Sequence, residues 1–172
     1  MVPKIFILDV DGVMTDGKFY YSEEGKILKA FGADDSDALS LLNKYIKITF
    51  ITGDKKGFAI SKKRIVDDMN YKLNLVSTIS RKDWIEKNFN PKEVIFMGDG
   101  IFDHYAMQNV AYAIAPNNAD KNTKLAADYV TSNSGGSRAV AEACLHILEK
   151  FFEPYNTKKT IDIKSTSGEW TQ

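Results

Sequence analysis

The chain has 172 residues, enough for one well-packed domain and too few for two of ordinary size. Its 44% hydrophobic and 27% charged residues suit a soluble globular protein, and 23 basic against 23 acidic side chains exclude a general attraction to nucleic acid or to an acidic membrane. Cys144 is the only cysteine, so no internal disulfide forms, and no apolar run approaches the ~20 residues needed to span a bilayer. The N-terminus enters an apolar strand directly, without a basic segment leading into a cleavable apolar one, so a cytoplasmic protein is expected.

Residues 5–15 read Ile-Phe-Ile-Leu-Asp-Val-Asp-Gly-Val-Met-Thr: an apolar run suited to a strand buried on both faces, ending in two carboxylates and a glycine. Side chains alternate along a strand, so Asp9 and Asp11 leave its end on one side, and Gly12 lets the backbone turn sharply there. Residues 18–21 and 26–31 flank Ser-Glu-Glu-Gly as a β-hairpin. A helix is expected over 33–45, a second core strand over 47–51 ending in Thr52-Gly53-Asp54, and a helix over 55–69. A third strand follows over 72–76, then a helix over 80–89 capped by Ser80 and stopped by Asn90-Pro91. The fourth strand, 93–97, runs into Gly98-Asp-Gly-Ile-Phe-Asp103 and a short helix. Strand-like runs at 110–114 and 128–131 are separated by a helical stretch at 120–127, and Gly135-Gly136 opens a last helix over 137–152. One domain over 1–153 and a polar, aperiodic tail over 154–172 are expected, the tail mobile unless something docks it.

Strands alternating with helices imply an α/β fold with a doubly wound, mostly parallel sheet, in which ligands bind at the carboxyl ends of the strands. Asp9 and Asp11, Thr52 and Gly53, Lys82, and Asp99 with Asp103 all fall after such ends, so four segments deliver polar groups to one rim. Two acids this close repel each other unless a cation lies between them or one is protonated. Carboxylates, a hydroxyl, a lysine and glycine-rich turns suit a phosphate bound with Mg²⁺, whose ligands would be Asp9, Asp99 and the carbonyl of Asp11. Asp9 would attack phosphorus while Asp11 serves in turn as general acid and base. Thr52, Gly53, Lys82 and the backbone N–H groups after Asp9, including that of Gly12, would bind the phosphoryl oxygens, with Asp103 orienting Lys82 or the metal's waters.

The stretches Asp9-Val-Asp-Gly-Val-Met-Thr15, Ile51-Thr-Gly53, Lys82 and Gly98-Asp-Gly-Ile-Phe-Asp103 resemble the four ordered motifs of the haloacid dehalogenase phosphatase superfamily, over about residues 4–152. Lys82 is preferred to its neighbour Arg81 because its place before Asp83-Trp84 matches the family motif. A narrower resemblance, carried by Thr15-Asp-Gly17 opening a hairpin at about 17–32 and by Tyr129-Val-Thr131 before Gly135-Gly136, is to the 3-deoxy-D-manno-octulosonate 8-phosphate phosphatases. That group implies a Rossmann-like core without a cap domain, a phosphosugar-acid substrate, and a homotetramer in which one subunit's hairpin covers the next one's site. Only residues 12–32 separate the first site loop from the first helix, room for a hairpin but not for a folded lid, and Phe19, Tyr20, Tyr21 and Phe31 would suit an interface.

The chain departs from that pattern in three places. Asp54 stands where arginine commonly follows Thr-Gly, with Lys55 and Lys56 next; Ala141 replaces an arginine in the last helix, with Arg138 three positions earlier; and Gly100 stands where a second aspartate is common. The alternatives are a phosphatase for a nine-carbon keto-acid sugar 9-phosphate, a phosphorylatable receiver, and a non-catalytic assembly module. His104 and His146 read as surface or core residues, and Cys144 as core packing.

Overall fold

The structure, a computed structural model, describes residues 2–159. Its centre is a six-stranded parallel sheet in the order β5-β4-β1-β6-β7-β8, formed by β1 (Ile5–Asp9), β4 (Lys47–Thr52), β5 (Lys72–Leu75), β6 (Val94–Met97), β7 (Tyr112–Ala115) and β8 (Tyr129–Val130). The chain winds outward from β1 through β4 to β5, then returns to lay β6 against the other side of β1. Strand order therefore reverses between β1 and β6, where a doubly wound sheet opens its binding crevice.

Alternating side chains give each strand an apolar residue for both faces, and helices cover both. On one face Phe6, Leu8, Phe50, Ile95, Met97 and Ile114 pack against α1 (Asp34–Leu42) and α6 (Ala139–Phe151). On the other, Ile7, Ile51, Val94, Phe96 and Ala113 meet α3 (Arg81–Asn88) and α4 (Asp103–Met107), with α5 (Lys121–Ala126) beyond. Phe50 is wholly buried, its ring 5.6 Å from that of Tyr71. Phe50→Ala should lower stability by about 3–5 kcal/mol, read as a shift of the urea midpoint at unchanged slope.

The hairpin forms as expected, from β2 (Tyr20–Ser22) and β3 (Gly25–Leu28), with a Thr15–Phe31 bridge at its base. Among the described residues it is the whole insertion between β1 and α1, so no cap domain covers the sheet. Elsewhere boundaries move. The helix expected from residue 55 starts at Phe58, because Asp54 Oδ1 accepts the Gly57 N–H and keeps the intervening residues in a turn. After α2 (Phe58–Lys62) the chain continues as a π-helical stretch, Lys63–Asp68. Ser80 makes no side-chain cap bond to α3, contrary to expectation. The expected tail straddles the boundary: residues 160–172 lie outside the described residues.

Candidate active site

Asp9 is the last residue of β1 and is almost fully buried. Its Oδ1 accepts the Val10 N–H at 2.8 Å, and its Oδ2 lies 2.7 Å from Arg81 Nη2. Asp99 follows β6, on the neighbouring side of the switch point. Gly12 has φ +88°, and a Cβ there would fall 1.9 Å from Asp99 Oδ2, so only glycine lets this turn and the carboxylate share the space. Asp103, the first residue of α4, is buried; its Oδ2 accepts the Gly100 N–H at 2.8 Å and its Oδ1 pairs with Arg81 Nη1. Asp9, Asp99 and Asp103 each offer an oxygen within 4.8 Å of the others.

Burial, reinforced by Asp103 and Asp11 and opposed by Arg81, raises the Asp9 carboxyl to about 7. Burial, with Asp9 and Asp103, raises Asp99 to about 8. Three carboxylates in so little space, two of them resisting ionisation, fit a hard divalent cation that would supply the missing positive charge. Between about pH 4 and 8 the folded chain holds protons on these groups that the unfolded chain has lost, so their contribution to stability falls as pH rises through about 7 and 8. A cation takes the place of those protons. Saturating Mg²⁺ should therefore raise the melting temperature by about 5 °C or more at pH 8.5 and by under about 2 °C at pH 5.5.

Asp11 stands beside this cluster with its two oxygens differently engaged. Oδ2 accepts the Thr52 hydroxyl at 2.9 Å; Oδ1 lies 2.7 Å from Lys29 Nζ, an ion pair without hydrogen-bond alignment. A cavity of about 380 Å³ opens over the site, lined by Asp9, Asp11, Asp99 and Asp103 below and by Phe19, Ile101 and Phe102 at its walls.

The rim expected from the sequence thus gathers Asp9, Asp11, Gly12, Thr52, Gly53, Asp99 and Asp103, but not Lys82. That side chain is 45% exposed and faces Glu86 at 4.0 Å, one turn along the same helix. Arg81 instead is buried and aimed inward. The short lead-in of residues 78–80 turns the first position of α3 toward the sheet and the next toward solvent, so the two neighbours exchange places. Asp103 accordingly orients Arg81 rather than Lys82. Burial alone would lower the proton affinity of Arg81, but Asp9 and Asp103 raise it. Thr52 is also placed differently: its hydroxyl hydrogen goes to Asp11.

Two further features have no signal in the sequence. Lys29, just past β3, is buried and reaches Asp11, Asp54 (2.8 Å) and the Ser61 hydroxyl (2.8 Å). Asn118 bridges two loops: its Nδ2 donates to the Gly12 carbonyl at 3.0 Å and its Oδ1 accepts the Gly135 N–H at 2.6 Å. A Cβ on Gly135 would sit 1.9 Å from the Gly12 oxygen, so this pair of loops closes only around glycine. Both contacts join residues far apart in the chain. Lys55, Lys56 and Arg138 do not line the cavity, and Arg138 pairs with Asp34 at 2.8 Å. His104 bonds the Ile101 carbonyl, while His146 stacks on Tyr129 away from the site.

A doubly wound sheet without a cap among the described residues, carrying an aspartate pair after β1 and a carboxylate cluster at the β1/β6 crevice, fits an enzyme of the phosphoric monoester hydrolase class, and the chain's relatives place it there. Residues 18–143 match the model of the haloacid dehalogenase-like hydrolases, and the chain belongs to that family. It is 33% identical over 151 residues to the 3-deoxy-D-manno-octulosonate 8-phosphate phosphatase of Salmonella typhi, covering 82% of this chain and 77% of that one. The Escherichia coli K12 enzyme of the same name is 32% identical with the same coverage. Among solved structures, the Moraxella catarrhalis 3-deoxy-D-manno-octulosonate 8-phosphate phosphatase with magnesium, phosphate and KDO superposes with a TM-score of 0.74 at 26% identity, over 86% of each chain. The cobalt-bound Haemophilus influenzae phosphatase gives 0.74 at 25% identity, over 86% of this chain and 88% of that one. No helix among the described residues is long and apolar enough to cross a membrane.

Proposed function

We propose that this chain is a Mg²⁺-dependent phosphomonoesterase that hydrolyses 3-deoxy-D-manno-octulosonate 8-phosphate through an aspartyl-phosphate on Asp9. The observation that carries the reading is the convergence of Asp9, Asp11, Asp99, Asp103 and Arg81, from three segments, on one cavity. The similarity to octulosonate phosphatases supports the substrate.

Asp9 attacks phosphorus, the bond from phosphorus to the sugar oxygen breaks, and Asp11 gives its proton to the leaving oxygen. Water then attacks the acyl phosphate, Asp11 takes its proton, and inorganic phosphate leaves with the Asp9 carboxylate restored. Arg81 Nε is buried without a hydrogen-bond partner among the described residues, a donor left for a phosphoryl oxygen whose charge grows in the transition state. Mg²⁺, held by Asp9, Asp99 and the Asp11 carbonyl with Asp103 beside them, would offset the repulsion between the dianionic substrate and these acids.

The homotetramer belongs to the same reading. Tyr20, Tyr21, Ile27 and Leu28 on the hairpin and Ile101 and Phe102 on the cavity wall are all exposed, apolar surface that a neighbouring subunit could cover. Phe19 is exposed as well and lines the cavity beside Ile101 and Phe102, whereas Phe31 packs on the core instead of joining that surface. The deciding experiment compares turnover on octulosonate 8-phosphate and on a nine-carbon keto-acid sugar 9-phosphate with Mg²⁺, alongside the mass in solution. Preference for the first supports the substrate, preference for the second replaces it, and no turnover on any sugar phosphate removes the enzymatic reading.

A further inference from the structure

The hairpin's contribution to the site is not limited to its apolar tip. Lys29 follows β3, and its ammonium, with no side-chain exposure, lies 2.7 Å from Asp11 Oδ1, 2.8 Å from Asp54 Oδ2 and 2.8 Å from Ser61 Oγ. Lys26 donates to the same Asp54 oxygen at 2.5 Å and lies 3.3 Å from the centroid of the Phe19 ring, which lines the cavity beside Asp11 and Asp54. Burial opposes ionisation of Asp54, but hydrogen bonds from Lys26 and Lys29 outweigh it and bring that carboxyl down to about 2. Two ammonium groups thus face two carboxylates at the edge of the cavity, the lysine side chains almost fully buried and the carboxylates only slightly exposed.

An ammonium buried this completely costs several kcal/mol in desolvation unless its partners are fixed. Asp54 is fixed from below: its Oδ1 accepts the Gly57 N–H, and its own N–H donates to Thr52 Oγ1 at 3.1 Å. Thr52 in turn donates to Asp11 Oδ2. The contacts close a ring, Asp11 to Lys29 to Asp54 to Thr52 and back to Asp11, tying the hairpin to the end of β4 through the residue that moves protons. Asp11 is gripped at both oxygens from two separate elements, which fixes the plane of its carboxyl over the cavity.

We propose that Lys29 is a positioning residue for proton delivery: through its ion pair with Oδ1 it fixes the plane of the Asp11 carboxyl at the cavity, so that the hairpin sets the geometry of the acid step. The inference rests on the reading of Asp11 as general acid. A misplacement of about 1 Å in such a group costs on the order of 10²-fold. The cost falls on substrates whose leaving group needs a proton, and an aryl phosphate, whose phenolate leaves unaided, escapes it.

The test is kcat/KM, which reports the steps through transfer to Asp9, for an alkyl phosphate (the sugar phosphate or glycerol phosphate) and for p-nitrophenyl phosphate, in the wild type, Lys29→Met, Lys29→Arg and Asp11→Asn. The expected result is a loss in Lys29→Met at least about 10-fold larger on the alkyl ester than on the aryl ester, with Lys29→Arg recovering part of it. Equal losses on both esters, as general loosening of the site would give, overturn the proposal, as does no loss on either. Asp11→Asn separates the levels: if it discriminates the esters and Lys29→Met does not, only the role of Lys29 fails. If Asp11→Asn does not discriminate them, the assignment of Asp11 as acid fails too. Should Lys29→Met not fold, the same comparison in Lys29→Arg decides: unchanged discrimination between the esters with unchanged rates overturns the proposal, and a selective loss on the alkyl ester upholds it.

Discussion

Asp9→Asn should reduce kcat by at least about 10⁴-fold while leaving the fold and the mass in solution unchanged. The size follows from the role: an amide cannot attack phosphorus, and removal of a nucleophile in other hydrolases costs that much or more. Fold retention follows from the surroundings. Asp9 is buried and, like its neighbour Asp99, resists ionisation, so a neutral isostere relieves repulsion with the acids around it even as it weakens the pair with Arg81. The checks are steady-state phosphate release, circular dichroism and light scattering. A variant with more than about a tenth of wild-type activity would remove the nucleophile from Asp9.

The second large effect separates two adjacent residues. Arg81→Ala should lower kcat/KM by about 10²–10³-fold, the usual cost of losing one donor aimed at transition-state charge, and Lys82→Ala should stay within about twofold. Arg81 is buried between Asp9 and Asp103, whereas Lys82 makes a long, exposed contact with Glu86 of the kind that contributes little. Removing Arg81 also leaves Asp9 and Asp103 facing each other unpaired. Arg81→Lys therefore serves beside it, keeping the charge but losing the fork that spans both acids. The reverse order of effects, with Lys82→Ala the damaging change, would return the phosphate contact to Lys82.

Arg81 and Lys82 also mark where the reach of sequence reasoning ends. Both are cations at the start of one helix, a single residue apart, and a rotation of about 100° about the helix axis separates a buried catalytic position from a solvated one. That rotation is set by how α3 lies on Ile7, Val94 and Phe96, which no local pattern encodes. The expected Ser80 cap, had it formed, would have been a local signal, and the serine makes no such bond.

What the sequence by itself determined is the part governed by short-range rules. Apolar runs ending in Asp9, Thr52 and Asp99 imply buried parallel strands whose carboxyl ends share a rim, and the spacing of Asp9 and Asp11 puts both at one strand end. Gly12 and Gly135 announce turns, although only the fold reveals that the missing side chain of Gly12 makes room for Asp99 and that of Gly135 for the Gly12 backbone. Tertiary structure alone decided which cation enters the site, that Thr52 holds Asp11, that Asn118 joins two loops, and that Lys29 comes from the hairpin to the acid. Each of these is a contact between residues distant in the chain, made because burial forces charged and polar groups to find partners wherever packing brings them, and the choice of partner is a property of the packed whole.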